Sequence, residues 1–188
     1  MAGVTVAELD ALRDRARADS LVEAVVLCAV GAVALIGLLM QVAASPAGGW
    51  SWAWFWLATP LAFAGSWAAL RWRRRTLGVG TPTRALGWLT VGLVVLALVV
   101  PFAMFVFGPY PALMGGVLLV GINVRSRLLI DWALIGGTLG TLAGLFFFGN
   151  RSGDLGHWMP WLDDAVGIGV AIVTLALGIR AAFRSRRP

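Results

Sequence analysis

Apolar residues gather into six runs, 21–44, 52–70, 85–107, 111–124, 128–148 and 162–179, separated by short polar stretches. A crossing of a hydrocarbon core about 30 Å thick takes roughly 20 predominantly apolar residues, and five of the runs have that length. The fourth spans only about 21 Å at 1.5 Å per residue and completes a crossing if Arg125 and Arg127 snorkel to the interface. Ahead of the first run, residues 4–19 place Val6, Leu9 and Leu12 at helical spacing with charges between them, which predicts a short amphipathic helix. The pattern therefore predicts an all-α fold: a polytopic transmembrane helical bundle of six spans with an N-terminal amphipathic helix. Residues 1–20 form that helix, 21–183 the membrane domain and 184–188 a basic tail.

Two capping boxes punctuate the start. Thr5 with Glu8 opens the amphipathic helix, and Ser20 with Glu23 opens the first span, so the chain is expected to bend near Asp19. In this reading Glu23 is a cap at the interface, where its carboxylate also favours the positive end of the helix dipole. The small residues Val42, Ala43 and Ala44 resemble a cleavage site, but the run before them exceeds the 7–15 residues typical of a signal peptide. The first span is expected to remain as an anchor.

Composition supports the membrane reading. Of 188 residues, 60% are hydrophobic and 13% charged, with a mean hydropathy of +0.86, whereas an ordinary soluble domain is about 45–50% apolar and about 25% charged. The formal charge of +6 in a soluble domain would suggest nucleic acid. Here the basic residues flank the apolar runs, and no nucleic-acid partner is expected. With six crossings, every arginine except Arg151 falls on one side, and the positive-inside rule makes that side cytoplasmic, both termini included. A re-entrant fourth run would divide the arginines far more evenly. Tryptophans mark both interfaces, with Trp50, Trp52, Trp54, Trp56, Trp158 and Trp161 at outer ends and Trp67, Trp72, Trp88 and Trp132 at inner ends. The localisation expected is the cytoplasmic membrane. Arginine in place of lysine, with abundant Ala, Gly and Trp, fits a GC-rich bacterial genome.

The inventory of reactive residues is thin. There is no lysine, one cysteine (Cys28) and one histidine (His157), which excludes Schiff-base chemistry, a Walker loop, a two-histidine zinc site and a disulfide within the chain. No nucleophile elbow is present. No cofactor, metal or catalytic residue is assigned, and the chain is not expected to be an enzyme. The outer group Asp154, His157, Asp163 and Asp164 has no metal-ligand spacing, and Asp163 and Asp164 suit the start of the sixth helix.

Two features remain. Asp131 lies one turn beyond Arg127 inside the fifth run, so it is either an intrahelical ion pair or a proton or cation site with Asn123 of the preceding run as its polar neighbour. Gly136, Gly140 and Gly144 leave one face of that run without side chains, where another helix can approach closely. Pro60 and Pro101 interrupt the second and third runs and can kink them. The leading expectation is a non-catalytic membrane subunit or scaffold that contacts a membrane-protein partner, or another copy of itself, within the lipid bilayer. The alternative is a small proton- or cation-linked transporter or channel that uses Asp131. A membrane enzyme with an outer site at His157 and Asp154 ranks third.

Overall fold

The computed structural model describes residues 6–43, 49–77, 84–99, 110–152 and 162–186. They form six helices and no strands: α1 (Val6–Ala43), α2 (Gly49–Leu77), α3 (Arg84–Val99), α4 (Tyr110–Val124), α5 (Arg127–Ser152) and α6 (Leu162–Arg186). The described part of each apolar run falls on one of these helices, with residues 44 and 100–107 of the first and third runs outside the described residues. Two stretches, Ser20–Met40 of α1 and Ala165–Ser185 of α6, are long and apolar enough to cross a membrane, with mean hydropathies of 2.6 and 2.1. Leu86–Val95 and Tyr110–Val124 are shorter apolar helical stretches. Pro101, Asp154 and His157 lie outside the described residues.

No second helix start forms at Ser20, because α1 runs unbroken from Val6 to Ala43. Inside a continuous helix the Ser20 N–H belongs to the backbone ladder and offers no orphan donor to cap. The Ser20 hydroxyl instead donates to the Arg17 carbonyl at 2.9 Å. At 1.5 Å per residue α1 is about 57 Å long, well beyond one hydrocarbon thickness. The helix also continues through Pro60 in α2.

The helices close a ring in chain order. Each packs on the next, and α6 returns against α1 in the most extensive contact of the fold. Helix α4 also touches α1 and α2 across the ring, so its residues Leu113, Met114 and Val117 are almost wholly buried, together with Val26, Leu27, Phe63 and Leu129. The exterior is apolar as well: Leu57, Leu61, Leu134, Ile135, Ile172 and Phe183 all face outward.

Glycines set the spacing of the tightest contact. A Cβ on Gly31 would stand 2.9 Å from the backbone nitrogen of Leu175, and one on Gly178 would stand 2.8 Å from that of Cys28. The pairs 31/175 and 28/178 run in opposite senses, so α1 and α6 are antiparallel with their backbones nearly touching. Small residues permit this approach wherever helices associate by van der Waals packing. Elsewhere, Phe63 of α2 seats on Gly116 of α4, and the Trp67 ring lies over Gly87 of α3.

Gly31→Val or Gly178→Val should push two backbones apart and cost about 1–3 kcal/mol, the usual range for overpacking. Gly65→Ala and Gly92→Ala, where an added Cβ meets nothing within 4 Å, should instead gain about 0.4–1 kcal/mol, because alanine has less freedom to lose on folding. Thermal unfolding of the purified variants checks the contrast.

Candidate functional site

The main concentration of polar contacts lies where α4 turns into α5. The chain leaves α4 through Arg125, whose φ of 58° is left-handed. The Ser126 N–H donates to the Gly121 carbonyl at 2.9 Å, and the Arg125 N–H to the Ile122 carbonyl at 3.3 Å. These two bonds define a Schellman termination. Glycine usually occupies the left-handed position of that motif, because a side chain there crowds the following carbonyl.

Ser126 then begins α5. Its Oγ accepts the Leu129 N–H at 3.2 Å, as an N-cap does, and its carbonyl accepts the Ile130 N–H at 3.1 Å. The hydroxyl donates to Glu23 Oε1 of α1 at 2.5 Å, within the range of hydroxyl-to-carboxylate bonds. One nearly buried serine therefore stops one helix, starts the next and ties both to a third. The Glu23 carboxylate acts across the bundle and not as the local cap expected from Ser20-x-x-Glu23.

The opposite end of α4 is also fixed. Tyr110, the only tyrosine, is buried and donates its hydroxyl to the Gly167 carbonyl of α6 at 2.8 Å. Its ring occupies the space left by Gly140 of α5. One turn along, Met114 packs on Gly136 and Gly137. Gly136 and Gly140 thus meet α4 of the same chain. Gly144 lies on α5, with surroundings outside the described residues.

Asp131 and Asn123 lie elsewhere. Both are exposed, and no hydrogen bond joins them. Arg127 is also exposed, and among the described residues Asp131 forms no ion pair with it or with any other residue. The spacing for an intrahelical pair is present, but the side chains do not meet. Asp163 and Asp164 fall in the first turn of α6.

The described tryptophans divide into two groups, with the side chains of Trp50, Trp52, Trp56, Trp158 and Trp161 outside the described residues. Trp72 and Trp88 point outward, 71% and 76% exposed, as residues of an interfacial belt would. Trp132 and Trp54, expected in the belts, are half-buried and bond inward. Trp132 Nε1 donates to Thr174 Oγ1 of α6 at 2.9 Å, and Trp54 Nε1 to the Val33 carbonyl of α1 at 3.1 Å. An indole surrounded by apolar side chains needs such an acceptor. Trp67 is half-buried too, with the Arg71 guanidinium 5.0 Å above its ring.

A cavity of about 750 Å³ opens between α1 and α2, bordered by Val25, Val33, Met40, Trp54, Leu61 and Ser66. Its polar groups are already engaged, since the Ser66 hydroxyl donates to the Ala62 carbonyl at 2.7 Å and the Trp54 N–H to Val33. The lining suits hydrocarbon and offers no catalytic group. Among the described residues no cluster of His, Cys, Asp and Glu could hold a metal ion. The Ser126–Glu23 tie and the Tyr110 peg were invisible in the sequence, because each joins residues far apart in the chain. Ser126 had one readable signal, a serine between two apolar runs, which is an N-cap position.

Comparison with protein-family models, curated proteins and solved structures finds no match to this chain.

Two substitutions should move stability in opposite directions. Ser126→Ala removes a cap and the donor to a half-buried carboxylate, and should cost about 1–3 kcal/mol. Adding Glu23→Gln to that variant should cost little more, whereas two independent contributions would add in full. Arg125→Gly should relieve the left-handed backbone and gain about 0.5–1 kcal/mol after the extra flexibility of the unfolded chain is subtracted. Chemical denaturation in a fixed detergent measures both effects.

Proposed function

We propose that this chain is an integral membrane protein crossing the cytoplasmic membrane six times, with both termini inside, and that it serves as a non-catalytic membrane subunit or scaffold. The observation that carries the reading is the division of polar groups between the inside and the outside of the ring. Inside, Ser66, Ser126, Tyr110, Trp132 and Thr174 all spend their hydrogen bonds on neighbouring helices or on their own backbone. Such an interior supports rigid packing and, among the described residues, offers no line of free polar groups for an ion to follow. The half-buried Glu23 carboxylate is engaged by the Ser126 hydroxyl, and Asp131 and Asn123 are on the exterior.

The apolar exterior supports immersion in lipid, since a water-soluble monomer rarely exposes a large continuous apolar patch. The arginine distribution supports the orientation. The part of α1 before Ser20 extends the helix by about 21 Å, at 1.5 Å per residue. In this topology it forms a cytoplasmic arm continuous with the first span and available to a partner.

Two measurements test the proposal. In a Cys28→Ser background, Arg75→Cys, Arg125→Cys and Arg184→Cys should all react with an impermeant maleimide in inverted vesicles and stay unreactive in right-side-out cells. Labelling of Arg125→Cys from outside would overturn six crossings. For the role, liposomes holding the purified chain should pass protons and monovalent cations no faster than empty ones, with Asp131→Asn the same as wild type. A flux that falls tenfold or more in Asp131→Asn would replace the scaffold reading with a transporter.

A further inference from the structure

The outward side of α5 carries three polar groups, Arg127, Asp131 and Thr138, among apolar ones. Arg127, Asp131, Ile135, Thr138 and Leu142 are all exposed and follow one another at steps of four, four, three and four, so they share one face. Thr138 stands out among the hydroxyls. Thr90, Thr141 and Thr174 each donate to the carbonyl four residues earlier, at 2.9, 2.6 and 2.6 Å, and Thr138 has no such bond. Asp131 and Arg127 likewise have no partner among the described residues. Ionisable and hydroxyl groups on a membrane helix are costly unless paired, and they act as polar links between helices.

We infer that this face of α5 is the contact surface of a two-fold homodimer, in which Arg127 of each copy pairs with Asp131 of the other and Thr138 lies at the shared seam. The inference rests on the membrane topology proposed above and gives the scaffold its first partner, a second copy. The charge pattern selects that partner. A face holding only an acid would call for a cation on some other protein. A face with a cation and an acid one turn apart complements itself under a two-fold axis, where residue i meets j and j meets i. With two copies oriented alike in the membrane, Arg127 and Asp131 differ in height by about 6 Å, a distance an extended arginine side chain covers. Further along the helix, Ile135 and Leu142 supply apolar area around the threonine.

The test uses the full chain with Cys28→Ser in native membranes washed with carbonate. Thr138→Cys should give a cross-linked dimer on mild oxidation, while Val95→Cys on the outward face of α3 should not. Arg127→Asp or Asp131→Arg alone should cut the yield at least tenfold, and the two together, with the charges exchanged, should restore it. A Thr138→Cys chain that stays in the washed membrane without cross-linking overturns the dimer and leaves the membrane reading intact. So does a cross-link to a different protein, or a double exchange that fails to recover. Release of the chain by carbonate overturns the topology itself and the dimer with it.

Discussion

The architecture depends on how closely the first and last helices approach. Chain order alone brings each helix beside the next, through short connections that place neighbours antiparallel, but it does nothing to join α6 to α1. That closure comes from Gly31 and Gly178, which let the two backbones pack almost in contact. It joins the two stretches with the length and hydropathy to cross a membrane. Where two helix backbones come this close, dispersion between them and a few polar bonds hold the contact. Dispersion falls off quickly with separation, so a side chain at either glycine would weaken the contact along its whole length. Once α1 and α6 are fixed, the acceptors for the central helix are fixed too, because Glu23 sits on α1 and the Gly167 carbonyl on α6.

The sequence was most readable where the signal was local and continuous. The described part of each of the six apolar runs is helical, since a long apolar stretch pairs its backbone groups most simply within itself. The glycine series in α5 was visible as a four-residue spacing, and Gly136 and Gly140 do lie against another helix. Gly31 and Gly178 were not visible as a pair, because each is a single glycine in its own helix and their relation exists only across the bundle. The Ser20-x-x-Glu23 pattern misled for a related reason. A capping box and a stretch of helix interior can share the same four residues, and a distant partner, Ser126, decided which one formed. Trp54 and Trp132 show the same limit, since a tryptophan near the end of a run can face headgroups or a neighbouring helix, and no local feature separates the two.

At the candidate ion site, reading the spacing was not enough. Arg127 and Asp131 stand at the interval that favours a helical ion pair, yet such pairs are worth only a few tenths of a kcal/mol on an exposed helix. That is too little to hold two side chains together against their rotamer entropy. Asn123 is adjacent in the chain to the same turn, but it leaves α4 on the outward side. What the sequence offered as one small site is, in three dimensions, a set of separate exposed groups.

Helix α4 shows how these constraints combine. It has 15 residues, about 22 Å at 1.5 Å per residue, short for a crossing of a core roughly 30 Å thick. A short apolar helix in a thicker bilayer is ordinarily accommodated by thinning the lipid, snorkelling or association with neighbours. Here both ends terminate on specific protein partners. Tyr110 carries one end onto α6 through its hydroxyl, and Ser126 ties the other to α1 through Glu23. At the second end the Schellman bonds take up α4 carbonyls, and the serine caps the first turn of α5. With both ends satisfied by protein and its inner face packed on α1, α2, α3 and α5, α4 is positioned by its protein contacts, and only residues such as Leu119 and Ile122 look outward. The same argument explains why a residue as ill suited to left-handed geometry as Arg125 is tolerated. The turn must be tight for Ser126 to reach Glu23, and the strain of one residue is small beside the bonds that the turn makes possible.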